Sequence, residues 1–351
     1  VSGHKHDITI VIPVFMNDRV VGYTASNCHV VDIGGRIFSA TGQSGYEEGL
    51  QIPVMKLYES GRRNETLFRI IADNVRSPDL VLGDLMAQVS ANQVAGERLL
   101  SVMTDHRLAD LTRLADEITG RTEIMMRDAI AKVPDGVYRD SVQLDGFGAP
   151  LTIAVALTFD GDEIMVDFDG TSPQINMGVN CVLNYTKAFV YYAVKCALSP
   201  EAPNNDGSLR PIRVVAPSSS ILNATYPAPV GARHLVGLFV PLAIFGALTH
   251  IIPDRIMAES SVLGAVTMSG MDKARNHYIF TLFCSGGMGA RASKDGLDAT
   301  AFPSNVASAP VEVIEQAVPI LVTRRELIPG SAGDGKYQGG AGQRIGLRLR
   351  T

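Results

Sequence analysis

The chain has 351 residues, enough for two or three domains, and 46% of them are hydrophobic, which supports a large core. Its formal charge of −5 at pH 7 gives a nucleic-acid role no electrostatic footing. Four cysteines, Cys28, Cys181, Cys196 and Cys284, are widely spaced and form no C-x-x-C pair, so neither a zinc knuckle nor a disulfide framework is indicated and buried reduced thiols of a cytoplasmic protein are expected.

The first predicted element is a hairpin. Ile8 to Phe15 is apolar and β-branched, Asn17-Asp18 is turn chemistry, and Val20 to Ala25 resumes the strand pattern. A two-residue loop at Asn17-Asp18 pairs Met16 with Arg19 and, along an unbroken ladder, His6 with His29, one step from Asp7. Directly opposed Cβ atoms lie about 5 Å apart and diagonal ones about 7–8 Å. Two imidazoles and a carboxylate at that spacing, His4, Asp7 and His29, can share one divalent cation and leave coordination positions open for water or substrate. His6 and Asp32 compete for the same role, Cys28 is a soft neighbour, and histidines at strand ends are also ordinary surface groups.

Residues 36–60 are punctuated by glycine, which predicts a loop over this site followed by a short extended piece. Glu47 and Glu48 place two carboxylates there, soon after the ligand cluster, and Glu48 is the candidate acid–base group. Residues 78–132 have helical periodicity behind Ser77-Pro78-Asp79, as two helices broken near Thr104 to Arg107 or one long bent helix. Three strands follow, Val137 to Leu144, Leu151 to Phe159 and Glu163 to Phe168, joined as an antiparallel meander. Asp167 and Asp169 share a strand face, most simply as part of a solvated turn.

Asn184 to Leu198 reads as a helix and Leu209 to Val215 as a strand. Leu235 to Ile252 is about long enough to span a bilayer. Pro241 and His250 interrupt it and charges flank it, so a buried core helix is expected, with no membrane contact. Beyond residue 262 strands alternate with glycine loops: His277 to Phe283 and Ile320 to Leu327 are strands, and Glu312 to Ala317 a short helix. The loops Cys284 to Arg291 and Ser331 to Gly342 lack the G-x-x-x-x-G-K-[ST] pattern, so turn chemistry is preferred to a phosphate cradle. The class expected is α+β: mixed and strand-rich, with antiparallel hairpins and meanders, a long helical segment and a buried apolar helix. The organisation expected is four interleaved regions, 1–77, 78–135, 136–261 and 262–351, within a longer polypeptide.

Seven motifs occur in order: G-H-K-H-D-I-T (3–9), H-V-V-D-I-G-G (29–35), E-E-G-L-Q-I-P (47–53), G-D-L-M-A-Q-V-S-A-N (83–92), V-D-F-D-G-T-S-P-Q (166–174), N-D-G-S-L-R-P-I (205–212) and G-D-G-K-Y-Q-G-G-A-G (333–342). Together they resemble the hydantoinase B family over essentially the whole chain. That family includes B-type components of ATP-dependent hydantoinases and lactamases, the B region of 5-oxoprolinase, and metal-bearing subunits of acetone and acetophenone carboxylases. Where the family usually carries G-T-H-x-x-D, this chain has Ser2-Gly3-His4-Lys5-His6-Asp7, which keeps the His-x-x-Asp frame. The resemblance implies a divalent metal (Mn, Zn or Fe) on His4, Asp7 and His29. It implies a hetero-oligomer with an A-type subunit of actin-like ATPase fold, which uses ATP to phosphorylate the substrate's oxygen. The implied reaction is ring opening of a hydantoin, oxoproline or lactam, with metal-activated water attacking the activated carbonyl. The alternatives are an ATP-dependent ketone carboxylase and an assembly subunit without catalysis.

Overall fold

The computed structural model describes residues 3–273 and 275–350, so Val1, Ser2, Ala274 and Thr351 lie outside the described residues. The class is α+β. β1 (Asp7–Met16) and β2 (Arg19–His29) form the expected hairpin, with Met16 opposite Arg19. Asn17 and Asp18 have φ of 48° and 60°, the left-handed pair that a two-residue turn needs to match strand twist. The ladder is not unbroken. Phe15 pairs with Val20 while Val14 pairs with Gly22, so Val21 is an extra residue in β2. This bulge moves every later pair by one, and His29 stands opposite Asp7 instead of the expected His6.

A two-rung hairpin, β3 (Tyr58–Glu59) and β4 (Arg62–Arg63), leads into α1 (Glu65–Asn74), a helix absent from the sequence reading. Its signals are local: Asn64 Oδ1 accepts from Leu67 N at 3.1 Å, and Leu67, Phe68 and Ile71 are buried on one side. α2 (Pro78–Asp105) and α3 (Thr112–Ile130) are the expected helix pair, broken where Arg107 turns to φ 54°. α2 lies along the hairpin. Asn92 Nδ2 donates to Ile10 O at 3.0 Å and Thr24 Oγ1 donates to Asn92 O at 2.9 Å, so one buried amide residue bolts both strands to the helix. Ile10, Val30, Ile33, Ile71 and Leu85 close the core beneath.

β5 (Gly136–Leu144), β6 (Leu151–Asp160) and β7 (Glu163–Asp167) are the expected meander. After α4 (Leu183–Leu198), β8 (Ile212–Val215) joins β7 in parallel, giving the order β5-β6-β7-β8. Alternate residues of β6, from Leu151 to Phe159, are buried under α4 and the apolar helices. The single helix expected over 235–252 is two: α5 (His234–Gly237) and α6 (Phe239–Leu248). Pro241 explains the division, because it has no N–H to give the carbonyl of Gly237 and fits only a first turn. Both helices are mostly buried, as expected, and no helix among the described residues is long and apolar enough to cross a membrane.

β9 (Leu263–Met271) and β10 (His277–Ser285) form one hairpin. β11 (Ile320–Leu327) and β12 (Gln343–Leu349) form another, with α7 (Val311–Ala317) against β11. The late glycine loops meet each other. Gly340 N donates to Met288 O at 2.8 Å and Gly296 N to Gln338 O at 2.8 Å. A Cβ on Gly287 would stand 1.7 Å from Gly340 O, so these glycines serve close backbone packing.

Candidate metal centre and adjoining cavity

His4, Lys5 and His6 form a turn running into β1: Asp7 N donates to His4 O at 3.2 Å, and Val30 N to His6 O at 2.9 Å. The turn brings both imidazoles over the end of β2, where His29 projects. Ring centroids lie 4.6 Å apart for His4–His29, 5.1 Å for His4–His6 and 5.4 Å for His6–His29. One ring nitrogen from each of the three falls within 4.8 Å of the others. His4 and His6 are each 3% exposed, while His29 stands at the solvent side.

The chain orients this cluster from a distance. His4 Nδ1 lies 2.9 Å from Gly231 O. A carbonyl only accepts, so Nδ1 carries the proton and a neutral ring leaves Nε2 as a lone pair. The Nε2 atoms of His4 and His6 are buried without a hydrogen-bond partner. Asp7 Oδ1 is 3.4 Å from His4 Nε2, and Asp7 Oδ2 accepts from Arg233 Nη2 at 2.7 Å. Arg233 lies over the Tyr185 ring at 4.4 Å. Residues 231–233 therefore hold both His4 and Asp7.

Glu48 holds that segment in turn. Its Oε1 accepts from Val230 N at 2.7 Å and Gly231 N at 2.6 Å, and it is 5% exposed. Lys5 Nζ donates to Gly45 O at 2.6 Å and Gly49 O at 2.8 Å, bracketing Glu48 from the other side. The competing carboxylate, Asp32, is committed elsewhere: it accepts from Gly34 N at 3.0 Å and from Arg76, tying the end of β2 to the α1–α2 junction. Cys28 is exposed, and strand alternation turns it to the face away from His29. Glu47 pairs with Arg36 at 2.6 Å, and Asp167 Oδ1 caps Asp169 N at 3.0 Å within a turn.

Charge states follow from packing. Burial lowers the basicity of His4, and lowers His6 to about 3, with His4 and His29 adding like-charge repulsion. His29 drops to about 4, chiefly from the protein around its ring. Burial alone would raise Asp7, but its contacts with His4 and Arg233 outweigh that and keep it below its ordinary value. Burial raises Glu48 despite the two backbone N–H groups. At neutral pH the cluster is thus three uncharged imidazoles beside a carboxylate, the donor set that suits Zn²⁺, Mn²⁺ or Fe²⁺.

Phe38 joins the cluster to a cavity of about 430 Å³. Its ring centroid lies 5.7–6.3 Å from the three histidine rings and 5.1 Å from that of His234, on which it stacks at 15°. His234 is 9% exposed, lines the cavity, and has no hydrogen-bond partner at either ring nitrogen. Sequence reasoning missed Phe38, Gly231, Arg233 and His234. The only trace was the polar pair Arg233-His234 at the head of the apolar run.

A profile of the family described as Hydantoinase B/oxoprolinase matches residues 1–351. Over 97% of its length the chain is 32% identical to the B component of a putative D-/L-hydantoinase from Pseudomonas sp. (strain NS671), of which it spans 61%. The crystal structure of ATP-dependent caprolactamase from Pseudomonas jessenii is similar to it with a TM-score of 0.91 and 28% identity, over 99% of this chain and 62% of that one. A nucleotide-free structure of acetone carboxylase shares the fold, with a TM-score of 0.89 at 18% identity over 99% of this chain and 49% of that one. The chain thus spans about three-fifths of the length of the first of these relatives.

Proposed function

This chain belongs to the hydantoinase B/oxoprolinase family, and on that footing we propose that it is the metal-bearing B-type component of an ATP-dependent enzyme that opens a cyclic amide ring. One observation carries the reading: the buried, unpaired Nε2 atoms of His4 and His6 converge with His29 beside an ionised Asp7. Unpaired buried nitrogens are unfavourable unless a ligand completes them. His4, Asp7 and His29 would hold a divalent cation, with His6 as the fourth candidate. Such an ion supplies Lewis-acid polarisation of a carbonyl or of an attacking water.

The chain's own residues prepare the site. Gly231 fixes the tautomer of His4, Arg233 keeps Asp7 ionised, and Phe38 packs its ring against all three histidines. The two N–H bonds on Glu48 Oε1 favour a positioning role for that residue over the acid–base role expected from sequence. An amide is a poor electrophile, and phosphorylation of its oxygen makes the carbon attackable. We assign that step to an A-type ATPase partner in the cytoplasm, since the late glycine loops spend their N–H groups on each other.

The test uses the full-length chain, alone and with its A-type partner. ATP turnover is measured with hydantoin, 5-oxoproline, caprolactam, and ketones plus bicarbonate. The expected result is no turnover by the chain alone and amide-dependent turnover by the pair. Turnover that needs bicarbonate and a ketone would replace this reading with the carboxylase one. Robust amide turnover by the chain alone would remove the division of labour. Elemental analysis giving no stoichiometric divalent metal would remove the metal site.

A further inference from the structure

The cavity beside the cluster has a largely apolar wall, including Phe38, Ala40, Leu235 and Ala265. Its polar side chains are engaged with one exception. Arg36 Nε donates to Glu47 at 2.6 Å, Ser39 Oγ lies 3.0 Å from Thr41 Oγ1, and Thr267 Oγ1 lies 3.1 Å from Thr281 Oγ1. His234 is the exception, nine-tenths buried with both nitrogens unpaired. Stacking on Phe38 fixes its ring plane. An imidazole held so, with a donor and an acceptor both unmet, is completed by a guest that pairs them, in place of any water that hydrates it.

We propose that this cavity is the substrate pocket and that His234 recognises the amide group of a compact, uncharged cyclic amide. The inference rests on the ring-opening function above and adds the residue and the substrate's charge class. Three observations support it. The volume, about 430 Å³, lies within the range of small-molecule sites and exceeds what a single small ring needs. An amide offers both C=O and N–H, so whichever ring nitrogen faces the guest finds a partner, whereas a ketone satisfies only the ring N–H. Burial, then Arg233, holds the His234 basicity at about 4, so the ring is neutral and has one donor and one acceptor. The charge class follows from Arg36. It is the only cationic side chain of the wall among the described residues, and Glu47 already neutralises it, so a guest carboxylate would be desolvated without a counter-charge. Phe38 touches both His234 and the three cluster histidines, so a guest against His234 lies one side chain from the cluster.

The experiment measures KM and kcat for hydantoin, caprolactam and 5-oxoproline in the assembled enzyme, with metal content determined in parallel. His234→Ala is expected to raise KM for the neutral amides by about tenfold or more, with metal content unchanged. His234→Gln, which keeps a donor and an acceptor, is expected to recover most of that loss. Ala265→Phe fills the cavity from β9 and is expected to raise KM in the same way, independently of His234 and of any effect of its loss on folding. Wild-type KM in both His234→Ala and Ala265→Phe, with amide turnover intact, would overturn the pocket and leave the ring-opening function standing. Turnover of ketone and bicarbonate with no amide turnover would overturn both. A lower KM for 5-oxoproline than for the neutral amides would overturn the charge class.

Discussion

Two corners of this protein are rich in glycine and tight backbone, and they end in opposite conditions. Where residues 286–298 meet 333–341, backbone and carboxylate groups consume one another: backbone pairs with backbone, Asp295 Oδ1 accepts from Gln338 N at 2.7 Å, and Asp298 Oδ1 from Ala341 N at 2.6 Å, leaving Arg291 Nε as the one buried side-chain nitrogen without a partner among the described residues there. Around residues 33–49 the backbone is just as crowded, and a Cβ on Gly35 would stand 2.4 Å from Glu47 O. There, however, the crowding supports side chains whose nitrogens are left over. A cluster of glycines therefore marks close approach of backbones, and unmet hydrogen-bonding capacity marks a place for a guest.

The comparison breaks first, and hardest, at the glycine loops. Gly287→Ala or Gly340→Ala drives a methyl into a carbonyl, and a loss of stability of about 3 kcal/mol or more is expected in denaturant unfolding. The folded fraction should keep its metal content, and loss of metal at full stability would erase the contrast. His29→Ala is the converse, with the fold largely kept. Metal affinity should fall further than the roughly 10–100-fold typical of losing an outer-shell partner, as read by competition with a chelator. His6→Ala should be the milder of the two if His6 is a neighbour, and an equal loss would make it a ligand.

Glu48→Ala tests whether support and site are coupled. Two buried N–H groups would lose their acceptor, at a cost of about 1–3 kcal/mol, and metal affinity should drop about 10–100-fold. Glu48→Gln keeps an acceptor and should do less, whereas equal activity loss in both with metal retained would restore an acid–base role. Acid is a gentler probe. His6 and His29 have folded pKa values of about 3 and about 4 against an ordinary 6.5, so the unfolded chain binds more protons below pH 6.5. Stability of metal-free protein should be level with respect to these groups above pH 6.5. It should fall as pH drops from there toward about 4 for His29 and about 3 for His6. His29→Gln should flatten that slope between pH 6.5 and 5, and an unchanged slope would refute the assignment. The smallest effect is at the hairpin tip, where Asp18 sits at φ 60°. Asp18→Gly should raise stability by a few tenths to about 1 kcal/mol without touching metal content.

The turn at Asn17-Asp18, the helix pair, the meander and the buried apolar segment were legible because each is written in local pattern. α1 is just as local, announced by the Asn64 cap, and the sequence reading passed over it. The bulge at Val21 was not legible, since nothing in Val20-Val21-Gly22 distinguishes it from ordinary strand. That single residue decides whether His29 faces His6 or Asp7. The nearness of His4, Asp7 and His29 came through because Asp7 and His29 belong to one hairpin and His4 to the turn that enters it. Gly231, Arg233 and His234 did not, because no periodicity links residues more than two hundred positions apart. The four-stranded sheet was read as far as its consecutive strands go; its fourth strand was expected over Leu209 to Val215, but its parallel pairing with β7 was not, because a helix intervenes.

The bond from His4 to Gly231 spans 227 positions of the chain. At synthesis rates of about 5–20 residues per second, the hairpin leaves the ribosome roughly 10–45 s before its anchor exists. Throughout that interval the histidines are neither held apart nor desolvated, and they are open to whatever ion the surrounding pool offers. With the proposed metal site filled, the identity of its ion would then be a matter of timing as well as affinity, so protein refolded in a defined ion and protein made in cells would differ in content with no difference in sequence.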